Sequence, residues 1–271
     1  MPQTNKEMVD GKSKTPIKEA LHFIAAMSPY ILFALIYNSM RYYPNYLFNE
    51  IDTEGVYTLE KQLFGISSNG ALLTPCEYFR LHHWAVFDIL SGLFYLCWVP
   101  LPITYSICLY LTGHRKLCLQ LSSAFLFVNL IGFCGYYIYP ASPPWYVMEY
   151  GFTPILNTPG NVAGFANFDA LTGVNLFHSI YAGNANVFAA IPSLHAAYCP
   201  VALYYALKVK DNRAWIATLS IVSVGIWFSA VYSGHHYIID VLLGILTAVV
   251  GVVIFDKVIN PIASSLRGSR C

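Results

Sequence analysis

The chain has 271 residues, of which 56% are hydrophobic and 11% charged, and its mean hydropathy is +0.52. Soluble domains usually carry about 25% charged residues, so this composition is typical of a protein with several membrane spans. The formal net charge of +1 argues against a nucleic-acid partner, which would require a strongly basic face.

Six apolar runs approach the length of roughly 20 residues that a spanning helix needs. They predict an all-α integral membrane protein, in which residues 1–271 form a single bundle of six transmembrane helices. The fourth run is short, but it begins at Pro192, and proline is favoured at the first position of a helix. The six predicted spans are Ala20–Met40, Trp84–Leu111, Leu117–Tyr139, Pro192–Leu207, Ala214–Tyr232 and Tyr237–Ile254.

Two long segments connect predicted spans. The first connecting segment, 41–83, joins spans one and two, and the second connecting segment, 140–191, joins spans three and four. Connections of this length are usually functional or disordered. The aromatic residues of the second connecting segment favour an ordered structure that lies on the membrane as a lid. The alternative is an outer loop that is packed but takes no part in function.

Basic residues set the predicted orientation. Lys and Arg cluster before span one, between spans two and three, between spans four and five, and after span six, and none occurs from 117 to 207. Cytoplasmic loops are enriched in these residues, so the polar N-terminus 1–17 and all four clusters are predicted to be cytoplasmic. Both connecting segments and the starts of spans four and six then face outward. The membrane is either a bacterial inner membrane, which the compact chain favours, or a Golgi membrane.

Two short strings place ionisable side chains at these starts: Pro192-Ser193-Leu194-His195 and His235-His236-Tyr237-Ile238-Ile239-Asp240. Ionisable groups at the mouth of a bilayer are costly to keep without a function. His236 and Asp240 are four residues apart, which puts both on one face of a helix. There the carboxylate could fix the imidazole tautomer and leave the other nitrogen free to attack phosphorus. The alternative is a pair exposed at the membrane interface.

The string Pro192-Ser193-Leu194-His195 supplies an anion-binding helix start and a general acid, which the pair of His236 and Asp240 lacks. In the first turn of a helix, free backbone N–H groups and the helix dipole favour an anion, and Ser193 adds a hydroxyl donor. His195 is placed to give a proton to a leaving alkoxide. Alone, the string is equally consistent with a serine N-cap beside an interfacial histidine. The two strings together, on one face of the membrane, favour chemistry on a phosphate.

The strings resemble motifs of the type 2 phosphatidic acid phosphatase superfamily of six-span membrane enzymes. Its Pro-Ser-x-His motif is matched at 192–195, and the His-x-x-x-Asp end of its third motif is matched at 236–240, within a similar region that runs from 133 to 244. The resemblance implies that His236 is the nucleophile that becomes phosphorylated. It also implies that Asp240 orients His236 and that His195 acts as acid and base.

The chain departs from the phosphatase branch of that superfamily in its cations. That branch carries a Lys and an Arg near the end of span three, and an Arg six residues before the nucleophile. Here the end of span three reads Tyr139-Pro140-Ala141-Ser142-Pro143-Pro144-Trp145-Tyr146, and Ala230 stands six residues before His236. A phosphomonoester carries about two negative charges at neutral pH, whereas a phosphodiester carries one. A site without these cations is therefore better suited to a diester.

The motif Tyr-Pro-x-x-Pro-Pro-Trp-Tyr, the Pro-Ser-Leu-His string and the doubled histidine are similar to those of inositol phosphorylceramide synthases and their bacterial relatives. That resemblance implies transfer of phosphoinositol from phosphatidylinositol to ceramide, with release of diacylglycerol and without a metal or other cofactor. The partners are then a phospholipid donor and a sphingolipid acceptor in the bilayer. Tyr139 and Trp145 are predicted to contact the substrate. The second connecting segment is predicted to exclude water from the phosphohistidine stage.

Three further residues are predicted to bind the substrate. Arg41 ends span one on the outward side and is the first choice for a phosphate contact, because a similar arginine follows the first span in the synthase branch. The alternative is an interfacial arginine whose charged end lies in water. Asp88, about one turn inside span two, could pair with Arg41 or Arg80 or could accept hydrogen bonds from inositol. His235 is predicted to contact the phosphate when it is protonated.

Two rival functions stay open. A lipid-phosphate phosphatase, acting on phosphatidic acid, phosphatidylglycerophosphate or an isoprenyl diphosphate, is opposed by the missing cations. A scaffold or transporter is opposed by the retained histidine–aspartate set, and no inverted repeat typical of transporters is evident. The seven cysteines form no CxxC motif or Cys/His cluster, so we expect packing thiols and no metal site. The sequence leaves a partner subunit and the acceptor (ceramide, dihydroceramide or diacylglycerol) open.

Overall fold

The computed structural model describes residues 16–183 and 186–262, and this part of the chain is mostly helical, with one short antiparallel hairpin. The predicted polar N-terminus lies almost entirely outside the described residues, as do the basic residues beyond position 262. The strands of the hairpin are β1 (Ile66–Ser68) and β2 (Ala71–Leu73). The helices are α1 (Pro16–Ser39), α2 (Gly55–Phe64), α3 (Pro75–Leu81), α4 (Ala85–Leu96), α5 (Pro100–Leu111), α6 (Arg115–Ile138), α7 (Pro144–Tyr150), α8 (Ala166–Thr172), α9 (Leu176–Ala182), α10 (Leu194–Lys208), α11 (Arg213–Tyr232) and α12 (Ile238–Ile254).

Four described helical stretches are long and apolar enough to cross a membrane, namely Pro16–Tyr42, Arg115–Ile138, Arg213–Tyr232 and Ile238–Ile262. Helices α4 and α5 together form a fifth candidate, which is bent by 44° at the break between them. Helix α10 has 15 residues and is shorter than the roughly 20 residues of a full span. The described residues therefore support an integral membrane protein with four or five candidate spans, where the sequence predicted six.

The second predicted span is interrupted, because α4 ends at Leu96 and α5 begins at Pro100. Proline has no N–H to donate and suits the first position of a helix, which is where Pro100 stands. The break places Trp98 beside His195, with ring centroids 4.4 Å apart. The bend therefore contributes an aromatic side chain to the surroundings of a predicted catalytic residue.

Helix α10 lies at the centre of the bundle and packs against α6, α11 and α12. It carries many small side chains, and Ala197, Ala202 and Ala206 are fully buried. Small residues let helix backbones approach closely. At Gly244 of α12 the approach is so close that a Cβ atom would lie 2.0 Å from the carbonyl oxygen of Ser193. This contact holds the start of α10 against α12 and so brings the two sequence strings together.

Both connecting segments are ordered over their described residues and contain short helices: α2 and α3 in the first, and α7, α8 and α9 in the second. The two segments also pair with each other. The N–H of Asp52 donates to the carbonyl of Pro140 at 2.8 Å, and the N–H of Ser142 donates to the carbonyl of Asp52 at 2.9 Å. The segments therefore form one layer, which covers the end of the bundle where α10 and α12 begin.

Candidate active site

The turn between α11 and α12, residues 233–237, carries both His235 and His236, and we call it the histidine turn. The N–H groups of the two histidines donate to the carbonyl oxygen of Ala230, each at 3.0 Å. Gly234 has a φ of +73°, in the left-handed region that favours glycine. The turn therefore has a defined backbone, and the positions of both histidines follow from it.

His236 and Asp240 are brought together in a different way from the one predicted. Helix α12 begins at Ile238, so His236 precedes the helix and the two residues do not share a helix face. Asp240 is the third residue of α12, and its Oδ2 accepts a hydrogen bond from the N–H of Tyr237 at 2.9 Å. The carboxylate thus folds back over the helix start, and its Oδ2 lies 3.4 Å from Nδ1 of His236. A capping carboxylate, not helical periodicity, makes the contact.

His195 completes a line of three ionisable groups. It is the second residue of α10, and its Nδ1 lies 3.2 Å from Nε2 of His236. Asp240 is completely buried and His236 is 5% exposed. The geometry suits a His236 tautomer whose proton is on Nδ1, toward Asp240, because the lone pair is then on Nε2. The nitrogen able to attack is therefore the one that lies next to His195.

Ser193 is the N-cap of α10 and not part of the first helical turn as predicted. Its N–H donates to the carbonyl of Asp240 at 3.0 Å, which ties the two strings together. Its hydroxyl is buried and has no hydrogen-bond partner among the described residues. Ser193 is not part of the described lining of the adjoining cavity.

A cavity opens at the histidine pair. Its empty volume is about 1050 Å³, part of which is open to solvent, and both His195 and His236 line it. Its described lining contains no Lys, Arg, Asp or Glu. The wall is instead rich in aromatic side chains from α1, α4, α6, α7, α9 and α10 and from the α4–α5 break. They are Phe33, Tyr37, Tyr95, Trp98, Tyr136, Trp145, Phe177, Tyr181 and Tyr198.

His235 also lines this cavity, but its polar atoms point elsewhere. Nδ1 lies 2.9 Å from the hydroxyl of Ser233, and Nε2 lies 3.3 Å from the carbonyl oxygen of Asn161. Burial, with a smaller contribution from His236, lowers the pKa of His235 to about 3. The ring is therefore neutral at physiological pH, with its one N–H on the carbonyl oxygen. The structure does not support the predicted phosphate contact by a protonated His235.

The structure places Arg41 at the rim of the cavity and Tyr139 away from it. The exposed guanidinium of Arg41 donates from Nη2 to the carbonyl of Gly183, a lining residue, at 3.4 Å. Tyr139 is 44% exposed, and its hydroxyl donates to the carboxylate of Asp52. Neither residue is part of the described lining. Trp145 is buried in the wall, as its predicted substrate contact requires.

Asp88 belongs to a second, more polar cavity of about 850 Å³, which shares only Trp145 with the lining of the first. Its buried carboxylate lies 3.1 Å from Nδ1 of His83 and accepts hydrogen bonds from Tyr232 at 2.9 Å and Asn167 at 3.3 Å. The predicted pairing with Arg41 or Arg80 is therefore not observed. The structure keeps Asp88 apart from the histidine pair.

Sequence reasoning missed Glu60, which supports the histidine turn from outside. Glu60 lies in α2 and is completely buried. Its two carboxylate oxygens accept hydrogen bonds from the N–H groups of Ile238 at 2.9 Å and Ile239 at 3.2 Å, the first two residues of α12. Burial raises the pKa of Glu60 to about 7, against the opposing effect of these two bonds. No local pattern identifies a cap that comes from a different segment.

Three of the six described cysteines are buried, as expected for packing thiols. Cys76, Cys118 and Cys199 are buried, and the thiol of Cys76 donates to the carbonyl of His236 at 3.4 Å. Within residues 16–183 and 186–262, no group of three or more His, Cys, Asp or Glu side chains could hold a metal ion.

Comparison with known proteins identifies the family. The family model described as the PAP2 superfamily matches residues 72–254, which is more than half of the chain. The chain belongs to the PAP2 superfamily. The resemblance noted in the two strings is thereby confirmed, and the matched region is longer than the one predicted from them. No solved structure matches the chain.

Curated PAP2 relatives are named as synthases. The chain is 58% identical over 231 residues to a phosphoinositol dihydroceramide synthase of Bacteroides thetaiotaomicron, a match that covers 85% of this chain and 76% of the relative. It is 27% identical over 232 residues to the inositol phosphorylceramide synthase catalytic subunit of Saccharomyces cerevisiae, covering 84% of this chain and 54% of the relative. The Schizosaccharomyces pombe counterpart is 26% identical over 241 residues, covering 85% and 53%. The chain spans about half the length of these two yeast relatives.

Proposed function

We propose that this chain transfers phosphoinositol from phosphatidylinositol to a ceramide-type lipid, through a phosphohistidine on His236, and releases diacylglycerol. The observation that carries the proposal is the line of Asp240, His236 and His195, which opens into an aromatic cavity with no Lys or Arg in its described lining. Similarity to a phosphoinositol dihydroceramide synthase supports the same donor head group and the same class of acceptor.

In the first half-reaction, Nε2 of His236 attacks the phosphorus of phosphatidylinositol. A P–N bond forms, the P–O bond to diacylglycerol breaks, and protonated His195 gives its proton to the leaving alkoxide. Asp240 lies behind the ring, at Nδ1, and stabilises the positive charge that the imidazole gains. The products are diacylglycerol and phosphoinositol bound to His236.

In the second half-reaction, His195 takes the proton of the ceramide hydroxyl, the hydroxyl oxygen attacks phosphorus, and the P–N bond breaks. Water in the place of ceramide would release free inositol phosphate, so the cavity must exclude it. The aromatic wall supports this role, since Trp145, Phe177 and Tyr181 of the second connecting segment close it on one side. We infer that this segment is the lid.

The charge of the cavity favours a diester over a monoester. A phosphomonoester brings about two negative charges at neutral pH. Charges that are buried without partners are expensive, and no Lys or Arg stands in the described lining to pair with them. A phosphodiester brings one negative charge, which neutral hydrogen-bond donors in the wall can meet. This argument favours the transferase over a lipid-phosphate phosphatase.

We also propose six spans, with α4 and α5 as the bent second and α10 as the fourth. The start of α10 lies beneath the layer of connecting segments, so this helix does not need to reach the membrane surface. With six spans, the basic residues at the α5–α6 and α10–α11 connections lie on one side, which is then cytoplasmic. The site then faces the other side, and the bacterial relative supports a bacterial inner membrane.

Four of the predicted binding residues keep a proposed role, at the positions given above. Ser193 carries a buried hydroxyl without a described hydrogen-bond partner at the N-cap of α10, and Trp145 lines both cavities. Asp88 lies among carboxylate, amide and hydroxyl groups of the second cavity, which are suited to the hydroxyls of an inositol ring. Arg41 would have to move inward from the rim of the cavity to contact the phosphate.

The test is an assay of purified protein in detergent with phosphatidylinositol labelled in the inositol ring, with and without dihydroceramide. We expect a labelled sphingolipid that appears only when the acceptor is present, together with an equal amount of diacylglycerol. Free inositol phosphate that forms regardless of the acceptor would contradict the transferase. Release of inorganic phosphate from phosphatidic acid, with no transfer, would favour the lipid-phosphate phosphatase instead.

A further inference from the structure

The cavity raises the question of what contacts the phosphate, since no cation lines it in the described part of the chain. The nearest described arginine contact is that of Arg41 with the carbonyl of Gly183, at the rim. His235 offers the cavity only its ring, because both of its nitrogens have partners elsewhere. The negative charge of a diester must therefore be met, at least in part, by a neutral hydrogen-bond donor in the wall.

Tyr95 of α4 has the properties of such a donor. It lines the cavity and is 2% exposed. Its hydroxyl lies near that of Tyr181, another lining residue, but makes no well-formed hydrogen bond with any described residue. Buried polar atoms without a partner are rare in folded proteins, and each one calls for an explanation. Tyr198, in the same wall, shows the contrast, because its hydroxyl donates to Oδ1 of Asn129 at 2.6 Å.

The ring of Tyr95 is held in place on both sides. It stacks on His195, with centroids 4.8 Å apart and an interplanar angle of 25°, and it also contacts Phe165 with centroids 4.7 Å apart. Its centroid lies 6.0 Å from that of His235. A phenol held by such contacts cannot turn its hydroxyl away without disturbing His195. The donor is therefore fixed in advance, as electrostatic stabilisation of a transition state requires.

We propose that the Tyr95 hydroxyl donates a hydrogen bond to a non-bridging oxygen of the donor phosphate and so replaces a cation as its ligand. The assignment rests on the proposed function only in requiring a phosphate-bearing lipid in this cavity. Charge on the non-bridging oxygens is stabilised by a donor of this kind throughout the attack of His236 and the departure of the alkoxide. The hydroxyl keeps its proton, so no bond to Tyr95 forms or breaks.

The test compares Tyr95→Phe with Tyr204→Phe, in the full chain purified in detergent. Tyr95→Phe keeps the ring and its stacking and removes only the donor. Tyr204 is a matched control at the other end of the bundle, where its hydroxyl donates to Asp256, which also accepts from Tyr205 at 3.0 Å. With phosphatidylinositol and dihydroceramide, we expect kcat of Tyr95→Phe to fall on the order of 100-fold, with a smaller change in KM. Tyr204→Phe should retain wild-type kcat.

A binding measurement that needs no turnover separates the two proposals. Trp98 and Trp145 line the cavity, so tryptophan fluorescence can follow titration with phosphatidylinositol, with diacylglycerol and with inorganic phosphate. We expect Tyr95→Phe to bind phosphatidylinositol more weakly and diacylglycerol as the wild type does. Equal weakening of both lipids would indicate a structural role and overturn the assignment, as would a kcat within about twofold of wild type. Tighter binding of inorganic phosphate than of phosphatidylinositol would also overturn it.

If wild-type protein turns over another phospholipid and never phosphatidylinositol, the proposed function fails. The ratio of the kcat of Tyr95→Phe to the wild-type kcat, measured with that phospholipid, then decides the role of Tyr95.

Discussion

Replacing Glu60 with glutamine tests whether the first connecting segment positions the nucleophile. The carboxylate accepts from the N–H groups of both Ile238 and Ile239, directly after the histidine turn. An amide of the same shape has only one oxygen to accept, so its NH₂ group would face the second N–H. We expect the start of α12, and with it Asp240 and His236, to shift relative to His195.

The expected effect on stability is small, because two contributions oppose each other. Each hydrogen bond to a charged group is worth about 1.5–3 kcal/mol, and the glutamine keeps one bond in a weaker, neutral form. The rise of the Glu60 pKa from an ordinary 4.5 to about 7 corresponds to about 3 kcal/mol of cost for the charged carboxylate in the folded protein. The substitution removes that cost. Activity, however, depends on the 3.2 Å approach of the two histidines, so we expect kcat to fall at least tenfold.

The pH dependence provides the sharper measurement. Because the folded pKa lies above the unfolded value, the contribution of Glu60 to stability is full below pH 4.5 and is lost as pH rises through about 7. The apparent melting temperature of the wild type should therefore fall across this window, while kcat should rise as Glu60 ionises and accepts both N–H groups. Glu60→Gln should lose both trends. The ionisable groups that interact electrostatically with Glu60 include Asp240 and Cys76, and both are unchanged in the variant.

Glu54→Gln is the matched control, since Glu54 is exposed at the start of α2 and its side chain caps nothing. It should show the wild-type kcat and the wild-type pH profile. If Glu60→Gln also keeps both, then the carboxylate does not position the histidine turn, and the reasoning from its two hydrogen bonds is refuted.

Four further substitutions test the site and the helix contact that brings its two strings together. His236→Ala and Asp240→Asn should each abolish transfer while the protein remains folded by size-exclusion chromatography, and substantial transfer by either would refute the assigned roles. His195→Ala should prevent both formation and breakdown of the phosphohistidine, so acid-labile label should not accumulate on the protein; accumulation would show that another group is the acid. Gly244→Ala places a Cβ atom 2.0 Å from the carbonyl oxygen of Ser193 and should destabilise the bundle by about 1–3 kcal/mol, seen as a lower melting temperature. An unchanged melting temperature would contradict the close contact between α10 and α12.

The site residues could be predicted from the sequence where the chemistry is local. His195, His236 and Asp240 stand in short strings, and the structure places all three in one line. The geometry between them could not be predicted, because it depends on where α12 begins. The helix begins at Ile238, two residues after His236, so His236 and Asp240 meet through a capping contact and not on a helix face.

Contacts between residues that are far apart in the sequence could not be predicted. Glu60 lies 178 residues from Ile238, and nothing near either residue indicates that they meet. The predicted second span contains a break before Pro100, which the sequence analysis did not predict because the mean hydropathy of an apolar run is insensitive to a bend. Asp88 was predicted to be functional from its position inside a span, and its role stays a prediction; its partners come from three separate elements.

The distribution of charge around His236 links the fold to the choice between transfer and hydrolysis. Behind the ring are two buried carboxylates, Asp240 at Nδ1 and Glu60 at the helix start, and in front of it is a cavity without described charged residues. This asymmetry stabilises the positive charge that the imidazole gains as Nε2 attacks phosphorus, and it does so without a cluster of cations that would hold a doubly charged phosphate. An aromatic wall in the same place favours a lipid hydroxyl over water. A catalytic pair that the sequence shares with phosphatases thus lies in surroundings that suit a phosphodiester and a second lipid.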